Sequence, residues 1–365
     1  MTEIDALKAI LARAADSVSL WPVEELLLRR DAVTIVDVRE SAECVDGVIE
    51  GAVRIPRGQL EFVISRHEAD LDAEIVLVCA SGKRSLLAAH SLQNLGYRRV
   101  RSLAGGFEAW KQAGAPWVAE TSASPIDERR YQRHLILPDI GYEGQGHLSR
   151  AHVAIVGAGG LGSAAAIYLA AAGVGTLTLI DDDVVSVSNL QRQVAHYTSD
   201  VGVAKVESAA DTVTSINPDV EVHVHRARLD STNAAEFLDN VDVVIDGSDN
   251  FETTFAINDF AVAMHTPAVL ASVLRFDAQL TTVIPGGPCY RCLMPSGPAD
   301  APSCAEAGVL GAMVGVVGSW QALEAIKVIT NAGELLSGRL LILDGLTSRS
   351  REIRFDRDEA CPAGH

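Results

Sequence analysis

One stretch constrains this chain more than any other: Val153-Ala-Ile-Val-Gly157-Ala-Gly159-Gly160-Leu-Gly162. Four apolar residues run into a glycine turn, and the turn runs into an apolar, alanine-rich segment. That is the pattern of a buried parallel strand, a tight loop and the start of a helix. Glycines let such a loop approach a phosphate, and the helix N-terminus behind it favours an anion. Asp181 follows 19 residues after Gly162, at the end of the next apolar run, Thr176–Ile180. That is the place for a carboxylate that binds ribose hydroxyls. The chain must build an α/β domain around a nucleotide. The glycines alone leave its identity open, and a lone G-x-G-x-x-G most often marks NAD or FAD.

The residues that follow point away from hydride transfer. Asn189 and Arg192 lie in Ser188-Asn-Leu-Gln-Arg-Gln193, and Lys205 in Gly202-Val-Ala-Lys205. A further strand, Val241–Asp246, ends in Asp246-Gly-Ser-Asp249-Asn250. Cations near phosphates, with an acid for Mg²⁺, equip a site for nucleotidyl transfer. A single Lys or Arg would read as a solvated surface charge. Arg129 and Arg130 keep that reading, whereas the ordered set does not.

From about Arg129 to the end the chain resembles the MoeB/ThiF family, bacterial relatives of ubiquitin-activating enzymes. The strings that carry the likeness are Arg130-Tyr-Gln-Arg133-His, the glycine loop, Asp181, Asn189-Leu-Gln-Arg-Gln193, Lys205, Ser248-Asp-Asn250, Cys289-Tyr-Arg-Cys292 and Ser303-Cys304-Ala-Glu-Ala-Gly308. The resemblance implies an ATP-dependent adenylyltransferase. Gly157, Gly159, Gly160 and Gly162 would form the loop, and Asp181 would hold the ATP ribose. Asn189, Arg192 and Lys205 would hold the phosphates, and Asp249 would position Mg²⁺ and the α-phosphate. It further implies a homodimer in which Arg133 reaches the triphosphate of the other protomer. Cys304 would lie in a segment crossing the active site, there to attack an acyl-adenylate or resolve an acyl disulfide.

Cys289-x-x-Cys292 is half of a tetrahedral zinc site. The family closes it with a second C-x-x-C near the C-terminus. Here the tail reads Cys361-Pro-Ala-Gly364-His365, with glycine in the place of the fourth cysteine. The expected Zn²⁺ ligands are Cys289, Cys292 and Cys361, with His365 as the fourth. A closed site of this kind leaves no position for substrate, so its role would be structural.

A second α/β pattern precedes this one. Val33–Val38 and Ile75–Cys79 read as buried strands, and Ser85–Leu95 as a helix closed by Gly96. The second strand runs into Cys79-Ala-Ser-Gly82-Lys83-Arg84. This puts a thiol at a helix N-terminus, inside a loop of backbone N–H groups, with two cations beside it. Both features favour an anion such as a persulfide on Cys79 or a bound thiosulfate. The C-x-x-G-x-R loop resembles that of the rhodanese family, as do Ile35-Val-Asp-Val-Arg-Glu40 and Leu103-Ala-Gly-Gly-Phe-Glu-Ala-Trp110. The resemblance implies that Cys79 carries sulfur, with Arg84 in its catalytic loop. One departure is Gly47-Val48-Ile49, where the family usually has Gly-His-Ile. Asp37 reads as an organiser of loops, and Cys44 as inert.

Length and composition fit this division. The chain has 365 residues, 48% of them hydrophobic, which suits two cores better than one. The expected parts are an N-terminal helix at 1–17, built on Ile4, Leu7, Ile10 and Leu11; a rhodanese domain at 18–118; a linker at 119–127; and an adenylyltransferase domain at 128–365. The fold class is therefore α/β: a small rhodanese-like domain, then a Rossmann-like nucleotide-binding domain. A net charge of -18 argues against nucleic acid as a partner. Acidic residues at the N-terminus do not suit a signal peptide, and no apolar run reaches the length of a membrane span, Ala164 to Val174 being far too short. Six cysteines in a chain this long are no disulfide framework. These features point to the cytoplasm.

The combined reading is adenylation of the C-terminal Gly-Gly carboxylate of a small ubiquitin-like sulfur-carrier protein, followed by sulfur transfer from Cys79. A cysteine desulfurase or thiosulfate would be the sulfur donor, and molybdopterin synthesis the favoured pathway. The rivals are carriers of thiamine synthesis or tRNA thiolation, a modifier-activating enzyme forming a thioester on Cys304, a peptide adenylating enzyme, a regulatory scaffold and an NAD oxidoreductase.

Overall fold

The computed structural model describes residues 3–44, 47–118, 126–297 and 307–364. The chain divides into two compact units, residues 1–143 and 144–365. Cys304, His365 and most of the expected linker lie outside the described residues.

The first unit is built on a parallel sheet of β1 (Ser19–Trp21), β2 (Thr34–Asp37), β3 (Val53–Arg54), β4 (Glu74–Val78) and β5 (Arg99–Leu103), in the order β1-β5-β4-β2-β3. The central strand β4 has Ile75, Val76, Leu77 and Val78 all fully buried, as a strand covered on both faces must. Helix Lys83–Asn94 starts two residues before the expected Ser85. It ends at Asn94 with Leu95 as its cap, and Gly96 follows at φ 104°, a conformation that costs glycine little. The N-terminal helix Glu3–Ser17 seats Ala14 in the core shared by Val36, Leu77, Cys79 and Leu86. Ile10 faces solvent instead.

The second unit is built on an eight-stranded sheet, ordered β13-β12-β11-β10-β9-β6-β7-β8. Strands β6 (His152–Val156), β7 (Thr176–Ile180), β8 (Glu221–His225), β9 (Val243–Asp246) and β10 (Ala268–Leu274) are parallel. Strands β11 (Asp277–Val283), β12 (Arg339–Asp344) and β13 (Arg349–Arg354) extend the sheet antiparallel. Because β7 and β9 leave β6 on opposite sides, a crevice opens at the carboxyl ends of these strands, where open α/β sheets bind ligands.

Helix Gly311–Thr330 corrects one expectation. With 20 residues of mean hydropathy 1.3, it is long and apolar enough to cross a membrane. It is a core helix: Val317 and Ala325 are fully buried, and Gly318 lies so close to helix Gly160–Ala172 that a Cβ would meet the Leu161 carbonyl at 2.5 Å. Glu324, fully buried, accepts from Thr282 Oγ1 at 2.7 Å and Leu336 N at 2.9 Å, and pairs with Lys327. Small residues such as Gly315, Gly318 and Ser319 break up its apolar string, which is why the sequence hides its length.

Candidate active site

The nucleotide loop is shaped by glycine packing. Gly157, at φ 92°, leaves β6, and its N–H donates to Ile180 O at 2.7 Å. A Cβ on Gly162 would lie 1.8 Å from Gly157 O, and one on Gly157 would lie 2.7 Å from Gly247 O. Only glycine lets the helix start, the turn and the end of β9 come this close. Ala158 N donates to Asp181 Oδ2 at 2.8 Å, so the loop is tied to the end of β7. Asp183 N donates to Asp181 Oδ1 at 2.8 Å. Burial pushes the Asp181 carboxyl above the usual carboxylate range, against the pull of Lys205 and these two N–H groups.

Around this loop lies a cavity of about 520 Å³. Gly157, Gly159, Gly160, Asp181, Asn189, Arg192, Lys205 and Asp249 all line it, although they are spread over 93 positions from Gly157 to Asp249, counted inclusively. Gly162 lies beneath the loop. Asn189 Oδ1 accepts from Ser186 N at 3.2 Å and closes a short 3-10 turn. The next turn brings up Arg192, whose Nη1 donates to Ser188 O at 3.1 Å. Lys205 opens helix Lys205–Ile216 with a nearly buried side chain, and its Nζ is 2.7 Å from Asp183 Oδ2. Asp249 is exposed in the loop after β9. That loop is braced by Asp246, which accepts from Ser248 N, Ser248 Oγ and Thr254 Oγ1 at 3.0, 2.6 and 2.6 Å. Burial raises the Asp246 carboxyl to about 6. Arg133 lies exposed on helix Glu128–Leu135 of the first unit.

The donor set fits a nucleotide triphosphate: N–H groups at a helix start, two cations, a carboxylate at the end of β7 and an exposed acid. Sequence reasoning missed Asp183, the partner of Lys205. Its signal was the run Asp181-Asp182-Asp183 at a strand end. It also missed His196, whose bonds form only in the folded chain.

The thiol loop of the first unit is equally constrained. Cys79 is buried, and its Sγ accepts from Gly82 N at 3.2 Å and from Ser85 Oγ at 3.3 Å. Ser102 Oγ in turn donates to Ser85 Oγ at 2.9 Å. The downstream Gly-Gly-Phe string clamps the loop: Phe107 N donates to Cys79 O at 2.8 Å and Glu108 N to Ala80 O at 3.0 Å. A Cβ on Gly106 would strike Cys79 O at 2.2 Å. The hydrogen bonds of Arg84 go to Glu43. Its guanidinium grips the Glu43 carboxylate with two bonds, one of them 2.6 Å. That pairing holds Glu43 below the usual carboxylate range and raises Arg84 further. Asp37 is bonded to Arg39 at 2.6 Å in a buried ion pair, and Arg39 reaches on to Glu43 O and Gly47 O. These bonds give Asp37 its place as an organiser of loops.

Three thiols meet in the second unit. Cys289 Sγ is 3.9 Å from Cys292 Sγ and 3.5 Å from Cys361 Sγ, across 72 positions of sequence. Zinc–sulfur bonds of about 2.3 Å in a tetrahedron set their sulfurs about 3.8 Å apart, so the three fit one Zn²⁺. Asn258 orders the pair, accepting from Tyr290 N at 2.7 Å and placing Nδ2 3.7 Å from Cys289 Sγ. Asp358 N donates to Cys292 Sγ at 3.4 Å.

Fold and site together define a Rossmann-like nucleotide-binding unit preceded by a unit that presents a thiol in an anion-favouring loop. The chain belongs to the ThiF family, whose model matches residues 131–363, and it carries a rhodanese-like domain at residues 23–113. It is 48% identical over 235 residues to the SAMP-activating enzyme E1 of Haloferax volcanii, covering 64% of this chain and 87% of that protein. It is 45% identical over 255 residues to the probable adenylyltransferase/sulfurtransferase MoeZ of Mycobacterium tuberculosis, covering 68% of this chain and 65% of that one. The chain thus spans just under two thirds of the mycobacterial relative. Among solved structures, E. coli MccB with MccA-N7isoASN aligns with a TM-score of 0.60 at 22% identity, over 65% of this chain and 75% of that one, a likeness of fold.

Proposed function

We propose that this chain adenylates the C-terminal carboxylate of a small sulfur-carrier protein and then supplies its sulfur from a persulfide on Cys79. The observation that carries this reading is the gathering of the glycine loop, Asp181, Asn189, Arg192, Lys205 and Asp249 around one cavity, in a chain that also holds Cys79 in a clamped loop. The names of the Haloferax and mycobacterial relatives support it.

The carrier's carboxylate attacks the α-phosphorus of ATP, forming the acyl-adenylate as pyrophosphate leaves. Arg192 and Lys205 neutralise the charge that builds on pyrophosphate. Mg²⁺, when bound near Asp249, supplies further positive charge there. The outer sulfur of the Cys79 persulfide attacks the acyl carbonyl and AMP departs. The acyl disulfide that remains is cleaved by a thiol, which is oxidised to a disulfide as the carrier thiocarboxylate is released. Cys304 or an outside thiol serves here. Arg84, engaged by Glu43, fixes the start of the helix that follows the loop.

The working unit is a homodimer in the cytoplasm, with Arg133 reaching the partner's triphosphate. Large apolar side chains left in solvent support the dimer: Tyr168 on helix Gly160–Ala172, and Val316 and Leu323 on helix Gly311–Thr330. Sedimentation velocity tests it, and a single-chain species alone would remove it. A molybdopterin-synthase small subunit is the favoured carrier, and thiosulfate or a cysteine desulfurase the favoured donor. The test is the intact mass of that carrier after incubation with the enzyme, Mg-ATP and thiosulfate. One oxygen-to-sulfur exchange supports the reading. Failure with this carrier and with thiamine-type and tRNA-thiolation carriers refutes it. The Haloferax relative's name favours a second reading, activation of a ubiquitin-like modifier through a Cys304 thioester. Carrier found on target lysines would mark that route.

Zinc, held by Cys289, Cys292 and Cys361 with His365 as fourth ligand, ties the C-terminal tail to the domain. About one zinc per chain is expected by atomic emission, and its removal by chelator should lower the Tm. A purified, folded chain without zinc would discard the site.

A further inference from the structure

His196 is buried beneath the nucleotide loop, and its two ring nitrogens meet a backbone carbonyl and a serine hydroxyl. Nε2 is 2.9 Å from the Ala158 carbonyl, which can only accept. Nδ1 is 2.8 Å from Ser208 Oγ. The single Ser208 proton has a stronger claim elsewhere, because Ser208 Oγ is 2.7 Å from Asp200 Oδ2. Asp200 also accepts from Tyr197 N and Ser199 Oγ, both at 2.9 Å, and these bonds, the Tyr197 N–H first, hold its carboxyl below the usual range. With Asp200 ionised and taking the Ser208 proton, Ser208 offers His196 a lone pair. Every contact is then satisfied only by the doubly protonated ring.

Burial opposes that charge and lowers the proton affinity of His196. Of the charged groups around the ring, Lys205 on helix Lys205–Ile216 also disfavours it, while Asp181 after β7 and Asp200 favour it. Without nucleotide the ring is therefore neutral near pH 7, and Ser208 must share its proton between Asp200 and Nδ1. A triphosphate brought to the loop adds negative charge one peptide away and shifts this balance toward the imidazolium.

We infer that His196 is a positioning residue of the nucleotide site: it holds the Ala158 carbonyl, keeps the loop N–H groups turned to the phosphates, and takes up a proton as the triphosphate binds. The Ala158 peptide is then pinned from both sides, its N–H by Asp181 and its carbonyl by His196. Carried by an Asp200–Ser208–His196 chain, the site gains a titrating group that never touches substrate.

This rests on the ATP-site reading above, and the test separates the two. Binding of Mg-ATP alone is measured by calorimetry near pH 6, about the ordinary histidine range, in two buffers of different ionisation enthalpy. The native chain should take up a fraction of a proton. H196A, which strands the Ala158 carbonyl, should bind about tenfold more weakly. H196Q keeps an N–H for that carbonyl but cannot titrate, so it should recover most of the affinity and lose the proton uptake. A native chain that binds no Mg-ATP overturns the nucleotide reading itself. A native chain that binds without proton uptake, or an uptake that survives in H196Q, overturns the role of His196 alone.

Discussion

Cys79→Ala should stop thiocarboxylate formation, by on the order of 10³-fold or more, while carrier adenylation stays within about twofold of native. The two half-reactions separate because every residue lining the nucleotide cavity belongs to the second unit, whereas Cys79 belongs to the first. The substitution removes one sulfur from a small core site. It leaves the loop clamped by Phe107 N and Glu108 N, which bond backbone oxygens rather than the thiol. What disappears is the acceptor for Gly82 N and Ser85 Oγ, and with it the one thiol in that loop. Carrier-dependent ATP–pyrophosphate exchange reads the first half-reaction, and intact mass of the carrier reads the second. If the variant forms thiocarboxylate from thiosulfate at the native rate, Cys79 is not the sulfur carrier.

Lys205→Ala should have the opposite signature: pyrophosphate exchange falls by about 10²–10³, and no downstream sulfur donor restores it. The Lys205 side chain is 7% exposed, and its ammonium sits among Asp181, Asp183 and the loop, where low solvent access strengthens its field. In the substrate-free chain Asp183 holds it at 2.7 Å. Phosphate oxygens would compete for the same ammonium, and most strongly as charge builds on leaving pyrophosphate. The loss should therefore fall more on kcat than on the KM for ATP. Arg129→Ala serves as the control, since that side chain is 94% exposed, and its exchange rate should match native. An exchange rate in K205A within threefold of native would remove Lys205 from the transition state.

The strands that matter most were legible because buried parallel strands are written as unbroken apolar runs. Val153–Val156, Thr176–Ile180 and Ile75–Val78 all appear as expected. The antiparallel extension β11–β13 was not legible. Its outer strand, Arg349–Arg354, is exposed along its whole length and carries arginines where a core strand carries valines. Helix Gly311–Thr330 was missed for a related reason: its small residues serve close packing against another helix, a demand that exists only in the fold.

By itself the sequence determined which chemical groups are present and in what local frames: a glycine loop after a strand, a cysteine before a helix, two cysteines one turn apart. These are set by spacings of a few residues, which local backbone geometry converts directly into shape. Tertiary structure decided what those groups meet. It bent Arg84 back onto Glu43, gave Lys205 to Asp183, brought Cys361 to Cys289 and set His196 under Ala158. Those partners come from separate elements, and only the order of strands in the sheet and the packing of helices upon it bring them within a bond's length.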